Sequence, residues 1–240
     1  MNYQIHALKN GECQVRDYIT FHDGGEETRT FFLYLWLITG GPAPMLVETG
    51  VSDVSGFNSG VEKYIPGGVI QKESEQTLNL LRSAGVSPQD VSHVFITHFH
   101  GDHYDSFHLF PIALLVANRD GYDGVKDRLA PPVAEAIKRR GLDCLRLAED
   151  GEVLPGISTF HLGVHSDCSQ GISVQTRLGK VVLPGDLIYT YRNLEEEYPP
   201  GWTDIEAWRV ALGKLKSKGD IVLPAHDPEI LDRWPGGVVG

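Results

Sequence analysis

The stretch THFHGDHYD, Thr97 to Asp105, packs three histidines and two aspartates into nine residues. It follows directly on the apolar run VFI, Val94–Ile96. Imidazole nitrogens and carboxylate oxygens are the donors that transition ions take, so a loop this rich in them is raw material for a metal site. Three further apolar runs end in the same way. STFHL (158–162) is followed by Gly163-Val164-His165, VVLP (181–184) by Gly185-Asp186, and DIVLP (220–224) by Ala225-His226. If the four runs are strands lying side by side, their ends meet at one edge of a sheet, where a rigid scaffold presents chemistry on loops.

The set comprises His98, His100, Asp102, His103, His165, Asp186 and His226. Its donors suit Zn²⁺, Mn or Fe better than Ca²⁺ or Mg²⁺, which prefer oxygen. One zinc ion takes three or four protein ligands. Seven donors are too many for one ion and suit two, with one carboxylate shared. Two ions roughly 3.5–4 Å apart can hold a hydroxide between them, already deprotonated near neutral pH. An isolated surface histidine needs no such explanation. Four specified residues within the six of HxHxDH, followed in order by three strand-end donors, do.

The remaining composition narrows the class. The chain has 240 residues with 41% apolar and 22% charged side chains, as expected of one soluble globular domain over 1–240. Cys13, Cys144 and Cys168 are too few and too scattered for a disulfide framework, which points to a reducing, cytoplasmic setting. The start MNYQIHALKN has neither a basic nor an apolar leader segment, and the run FFLYLWLI (31–38) is far short of a membrane span. The net charge of −11, with no basic stripe interleaved with aromatics, argues against nucleic acid as a partner and for a small-molecule substrate.

Strands are expected at Phe31–Thr39, Met45–Glu48, Val91–Thr97, Val153–Leu162, Ser173–Leu178, Val181–Pro184 and Asp220–Pro224. Helices are expected at Ser74–Ala84, stopped by Gly85, at Pro131–Arg140, opened by prolines, and at Ile205–Lys218. Strands surround helices in both halves, an α/β pattern with helices outside packed sheet.

The run His98-x-His100-x-Asp102-His103, then His165, Asp186 and His226, resembles the signature of the metallo-β-lactamase superfamily. The resemblance extends from about Phe31 to Asp227 and implies an αββα sandwich with a binuclear site at one edge. It implies two Zn ions, with Mn or Fe as alternatives. His98, His100 and His165 would hold one ion, Asp102, His103 and His226 the other, and Asp186 would bridge. Two departures are visible: Glu48-Thr49-Gly50 stands where the family often has Asp-Thr/Ser-Gly, and His165-Ser166-Asp167-Cys168 where it often has His-Ser/Thr-Pro-Gly.

Such a fold hosts many chemistries. The chain after His226 is short, so no glutathione-binding helical domain of the glyoxalase II type is expected, and no flavin domain is evident. One feature resembles the N-acyl homoserine lactonases: their tyrosine three positions after the bridging aspartate, which contacts the substrate carbonyl, has its counterpart in Tyr189 after Asp186. The resemblance thus implies opening of a lactone or similar cyclic ester, with Tyr189 bonding the carbonyl oxygen and Asp102 or Asp186 passing a proton to the leaving oxygen. Thioester or amide hydrolysis, or an iron-dependent persulfide dioxygenase-like redox reaction, are the alternatives. By adjacency to the ligands, Phe21, His22, Tyr104, Phe107, Tyr191 and Trp202 are candidates for the pocket walls. They are bulky, which favours a compact cyclic substrate over long acyl chains. Packing is the competing role for each of them, and for Tyr189. Cys168 is a spare ligand or a buried thiol.

The donor count makes a direct prediction: the purified protein carries close to two transition-metal ions per chain by elemental analysis, and chelation removes its activity.

Overall fold

Phe31 to Ile38 is apolar at every position, which is unusual for a strand with one wet face and natural for one buried on both. In the computed structural model, which describes residues 2–240, that is its situation. It lies in β2 (Thr28–Thr39), paired antiparallel along its whole length with β1 (Gln4–Arg16). Alternation then sorts its side chains into two cores. Tyr34, Trp36 and Ile38 face a second sheet, while Leu35 and Leu37 face outer helices.

The first sheet continues through β3 (Met45–Val47), β4 (His93–Phe95), β5 (Leu114–Asn118) and β6 (Leu145–Ala148), which run parallel to one another. The second sheet holds β7 (Gly151–Leu154), β8 (Ile157–His161), β9 (Gln170–Thr176), β10 (Gly179–Leu183) and β11 (Ile221–Val222), in the order β11-β10-β9-β8-β7. A short β12 (Val238–Val239) returns to pair with β1 at the open edge of the first sheet. Val47, Phe95 and Val116 meet Ile172, Val174 and Val181 between the sheets. Leu81, Val133 and Ile137 cover the outer face of the first sheet; Trp208, Leu212 and Leu215 cover Phe160 and Val182 on the second. The layers are therefore helix, sheet, sheet, helix, the expected αββα sandwich.

Several details differ from the sequence expectation. Val153–Leu162 is not one strand but the hairpin β7–β8, turned at Gly156 with φ +81°. The helix expected at Ser74–Ala84 is a 3₁₀ turn, Glu73–Glu75, followed by an α-helix, Thr77–Ser83. The strands β1, β5, β6 and β12 are additional. The four ligand-bearing strands do not lie side by side in one sheet either. β4 belongs to the first sheet, and β8, β10 and β11 to the second, with β9 between β8 and β10. The ligands meet because the two sheets share an edge there.

That edge is stitched by Gln170 at the start of β9, whose backbone N–H donates to Thr97 O (2.9 Å) and whose side-chain amide donates to Ile96 O (2.8 Å). Beside it, Gly185 turns the chain out of β10 at φ +56° and presents Asp186. A Cβ on Gly185 would sit 2.6 Å from Thr97 Oγ1, the atom that contacts the ring of His98. Gly185→Ala is therefore expected to combine left-handed strain with a clash, at about 1–3 kcal/mol of stability, read as a lowered thermal midpoint together with weaker metal retention.

Candidate metal centre

Each predicted ligand sits just past a strand end. His98 and His100 follow β4, and a helical turn over Gly101–Tyr104 swings Asp102 and His103 to the same side. His165 follows β8, Asp186 follows β10 and His226 follows β11. The donor atoms fall into two groups, His98, His100, His165 and Asp186 in one, and Asp102, His103 and His226 in the other, each with its donor atoms within 4.8 Å of one another.

Asp186 joins the groups. Its Oδ2 lies 3.4 Å from His165 Nε2 and 3.6 Å from His98 Nε2. Its Oδ1 lies 3.0 Å from His226 Nε2 and 3.3 Å from His103 Nε2. One carboxylate oxygen thus faces each set of imidazoles, the geometry a bridging ligand needs. His165 Nε2 and His100 Nδ1 converge to 3.0 Å. The Nε2 atoms of His98 and His103 are buried without any hydrogen-bond partner. A buried polar atom left bare costs about 1–3 kcal/mol, so the fold retains these only for a species that takes their lone pairs. A transition ion in each group fits the donors present.

Two of the far ring nitrogens are held as metal-binding histidines require. His98 Nδ1 is 3.0 Å from Thr97 Oγ1 and His226 Nδ1 is 3.0 Å from Phe32 O, while His103 Nδ1 makes no hydrogen bond and faces the Glu48 carboxylate at 3.3 Å. With hydrogen on Nδ1, each ring turns a bare Nε2 inward. Glu48, which replaces the family's aspartate, sits at φ +64° and accepts the Thr97 N–H on both carboxylate oxygens (3.2 and 3.3 Å). Its carboxylate thereby faces both the Thr97 backbone and the donor His103.

Electrostatics agree with this division. Burial holds His98 well below its ordinary value and His165 at about 4, so both are neutral and able to ligate. Burial pushes His103 and His226 down as well, yet Asp102, Asp186 and Glu48 raise His103 well above its ordinary value, and Asp186 and Asp102 raise His226. Buried carboxylates here outweigh desolvation and call for positive charge, which cations supply in place of protons.

The centre forms the floor of a cavity of about 510 Å³, a size that suits a small molecule. Tyr189 and Trp202 line it. The other proposed wall residues do not. Phe21 is buried between the guanidiniums of Arg29 and Arg192, 4.7 and 4.6 Å from its ring, and His22 is exposed on the loop behind it. Tyr104 and Phe107 belong to the core under the outer helices, where the Tyr104 hydroxyl accepts the Ala130 N–H (2.9 Å). Tyr191 packs beneath Arg233, 3.6 Å from its ring. Tyr104 ends the helical turn that carries Asp102 and His103, Phe107 lies in the 3₁₀ turn that follows it (Asp105–Leu109), and both side chains are directed into the core. The apolar walls are instead Cys13, Val15, Phe31 and Leu33 from β1 and β2, and Phe57 and Val61 from the helix Val54–Val61. Cys13 and Phe31 are cross-strand partners, a pairing that no local pattern in the sequence marks. Cys168 stands outside both donor groups, with its Sγ 3.1 Å from Ser166 Oγ: a buried thiol.

An αββα sandwich with paired His/Asp donor groups at its shared sheet edge defines a class of metalloproteins. Residues 28–226 match the family model of the metallo-beta-lactamase superfamily, and the chain belongs to that superfamily. It is 27% identical to the N-acyl homoserine lactonase AiiA of Bacillus thuringiensis subsp. kurstaki over 240 residues, 94% of each chain. It is 30% identical to the N-acyl homoserine lactonase AiiB of Agrobacterium fabrum over 129 residues, 47% of this chain and 46% of that protein. Among solved structures it resembles an N-acyl homoserine lactone hydrolase with the product N-hexanoyl-L-homoserine bound at the catalytic metal centre, with a TM-score of 0.80 at 23% identity over 97% of both chains.

Glu48→Gln removes the charge that orients His103 while keeping its shape. Metal affinity should fall about 10–100-fold, measured by competition with a chromogenic chelator.

Proposed function

We propose that the protein is a metal-dependent hydrolase that opens a lactone, with Tyr189 contacting the reacting carbonyl and the seven His and Asp donors holding two metal ions, zinc by default and Mn or Fe as alternatives. The observation that carries this reading is the placement of the Tyr189 hydroxyl, 3.3 Å from His165 Nδ1 in the wall of the cavity above the donors. With His165 Nε2 turned to the centre, its Nδ1–H donates to the phenol oxygen. The phenol hydrogen is then free for a substrate oxygen. Burial first, then the nearby Asp186 and Asp102, raise the Tyr189 pKa well above its ordinary value, so it stays a donor throughout the working pH range.

When bound, the metal ions lower the pKa of water and polarise a carbonyl. The chain's own residues supply the rest. Tyr189 donates to the oxygen on which charge develops as the ester opens. Both carboxylates line the cavity, and Asp102 is the more exposed, 15% against 7% for Asp186. It is the better placed to pass a proton to the alkoxide that leaves when the acyl–oxygen bond breaks. None of the described lining residues is Lys or Arg, and most are apolar, which suits an uncharged substrate carrying an apolar group. The similarity to N-acyl homoserine lactonases supports the lactone class. Three unpaired, buried cysteines fit a cytoplasmic setting, and no helix among the described residues is long and apolar enough to cross a membrane.

The test is a hydrolysis panel of lactones, thioesters and amides, run with zinc-, manganese- and iron-loaded protein. Lactone turnover in a form holding two ions supports the reading. A single iron with an oxygen requirement would replace it with the dioxygenase-like alternative. Within the panel, Tyr189→Phe is expected to lower kcat on lactones by about 10²–10³, as loss of an oxyanion donor does.

A further inference from the structure

We propose that Trp202 is a specificity-determining partition, whose indole divides the inner chamber over the metal centre from an outer surface groove and so limits the apolar chain that a substrate can carry. The inference rests on the lactone-hydrolase reading above. Two cavities meet at this side chain. The inner one, about 510 Å³, holds the donors and the walls from β1 and β2. The outer one, about 480 Å³, is lined by Tyr18, Gly24, Gly25, Glu26, Lys63, Tyr64 and Trp202. Trp202 and Tyr64 line both, so the two spaces are parts of one path interrupted by aromatic rings.

The indole is held in this position at a cost. Trp202 has φ +59°, a region that bulky residues rarely occupy and that costs about 1–3 kcal/mol. It is also 71% exposed, so burial does not explain the strain. Its neighbour Gly201 is pressed against the chain, with its N–H donating to Ile19 O (2.8 Å) and no room for a Cβ beside Tyr18 O. The ring then lies tilted on Tyr18 at 5.8 Å and meets Tyr64 edge-on at 5.5 Å. An aromatic side chain strained, exposed and propped between two tyrosines at a cavity mouth is placed for what passes the mouth. The inner chamber takes the ring and the near part of an acyl chain. A longer chain must displace the indole to run over Tyr18 and Tyr64 into the outer groove.

The experiment compares wild-type, Trp202→Gly and Trp202→Phe proteins, metal-loaded, on N-butanoyl- and N-decanoyl-homoserine lactone. Thermal unfolding controls for folding; glycine relieves the positive φ, so its midpoint should not fall. The decanoyl-to-butanoyl ratio of kcat/KM should rise about tenfold or more in Trp202→Gly, mostly through KM, with Trp202→Phe in between. The same ratio is read without turnover, from calorimetric affinities for the ring-opened N-butanoyl- and N-decanoyl-homoserines. If no lactone is hydrolysed but the affinity ratio shifts, the partition stands and the lactonase reading falls. If lactones are hydrolysed and both ratios stay as in wild type, the partition is overturned.

Discussion

A carboxylate removed from water at the centre of four imidazoles is the constraint from which the rest of this structure follows. Asp186 is buried, and a buried anion is tolerated only where charge of the opposite sign is close and well placed. His103 and His226, whose pKa values the carboxylates raise, approach one of its oxygens, and the neutral His98 and His165 approach the other. To bring them there, the chain must end four strands of two different sheets at one place. It must turn sharply out of β10 at Gly185 and let the Thr97 side chain lie where a Cβ would otherwise stand. Gln170 then locks the two sheets together at the same edge, so the ligands cannot drift apart by a sliding of the layers.

The second consequence is an asymmetric cavity. Polar donors form its floor, while its sides come from paired strands that extend past the sheet proper. Cys13 on β1 stands opposite Phe31 on β2, Val15 and Leu33 flank that pair, and all four help form one apolar cluster with Tyr189. The bulge between Lys9 and Gly11 separates the part of β1 that serves the inter-sheet core from the part that serves the cavity. Stability and binding thus draw on the same two strands, with a change of role at one irregularity.

The substitution of Glu48 for the family's aspartate is instructive about tolerance. With the residue in the left-handed region, the longer side chain lies within 3.3 Å of His103 and receives the Thr97 N–H. A carboxylate one methylene longer thus still faces a donor histidine.

Two kinds of information had different fates. The convergence of the His and Asp donors and the layered α/β architecture were legible in the sequence, because a strand that ends in a donor leaves a local mark: an apolar run, a turn, then His or Asp, repeated at 98, 165, 186 and 226. The helix Pro131–Arg140 was legible for the same reason, with prolines and glycine marking its ends. The walls of the cavity were not. Tyr104 and Phe107 are neighbours of the donors in sequence but pack in the core under the outer helices, while Cys13, Val15, Phe31 and Leu33 lie far from every donor in sequence and close in space. The assignment of ligand strands to two sheets was equally hidden, since strand pairing depends on long-range register that no single run records. Sequence by itself determined which atoms can bind metal, because that is a property of side-chain chemistry. Only the tertiary structure decided what surrounds those atoms, because the direction a side chain takes depends on the element that carries it and on the sheet against which that element packs.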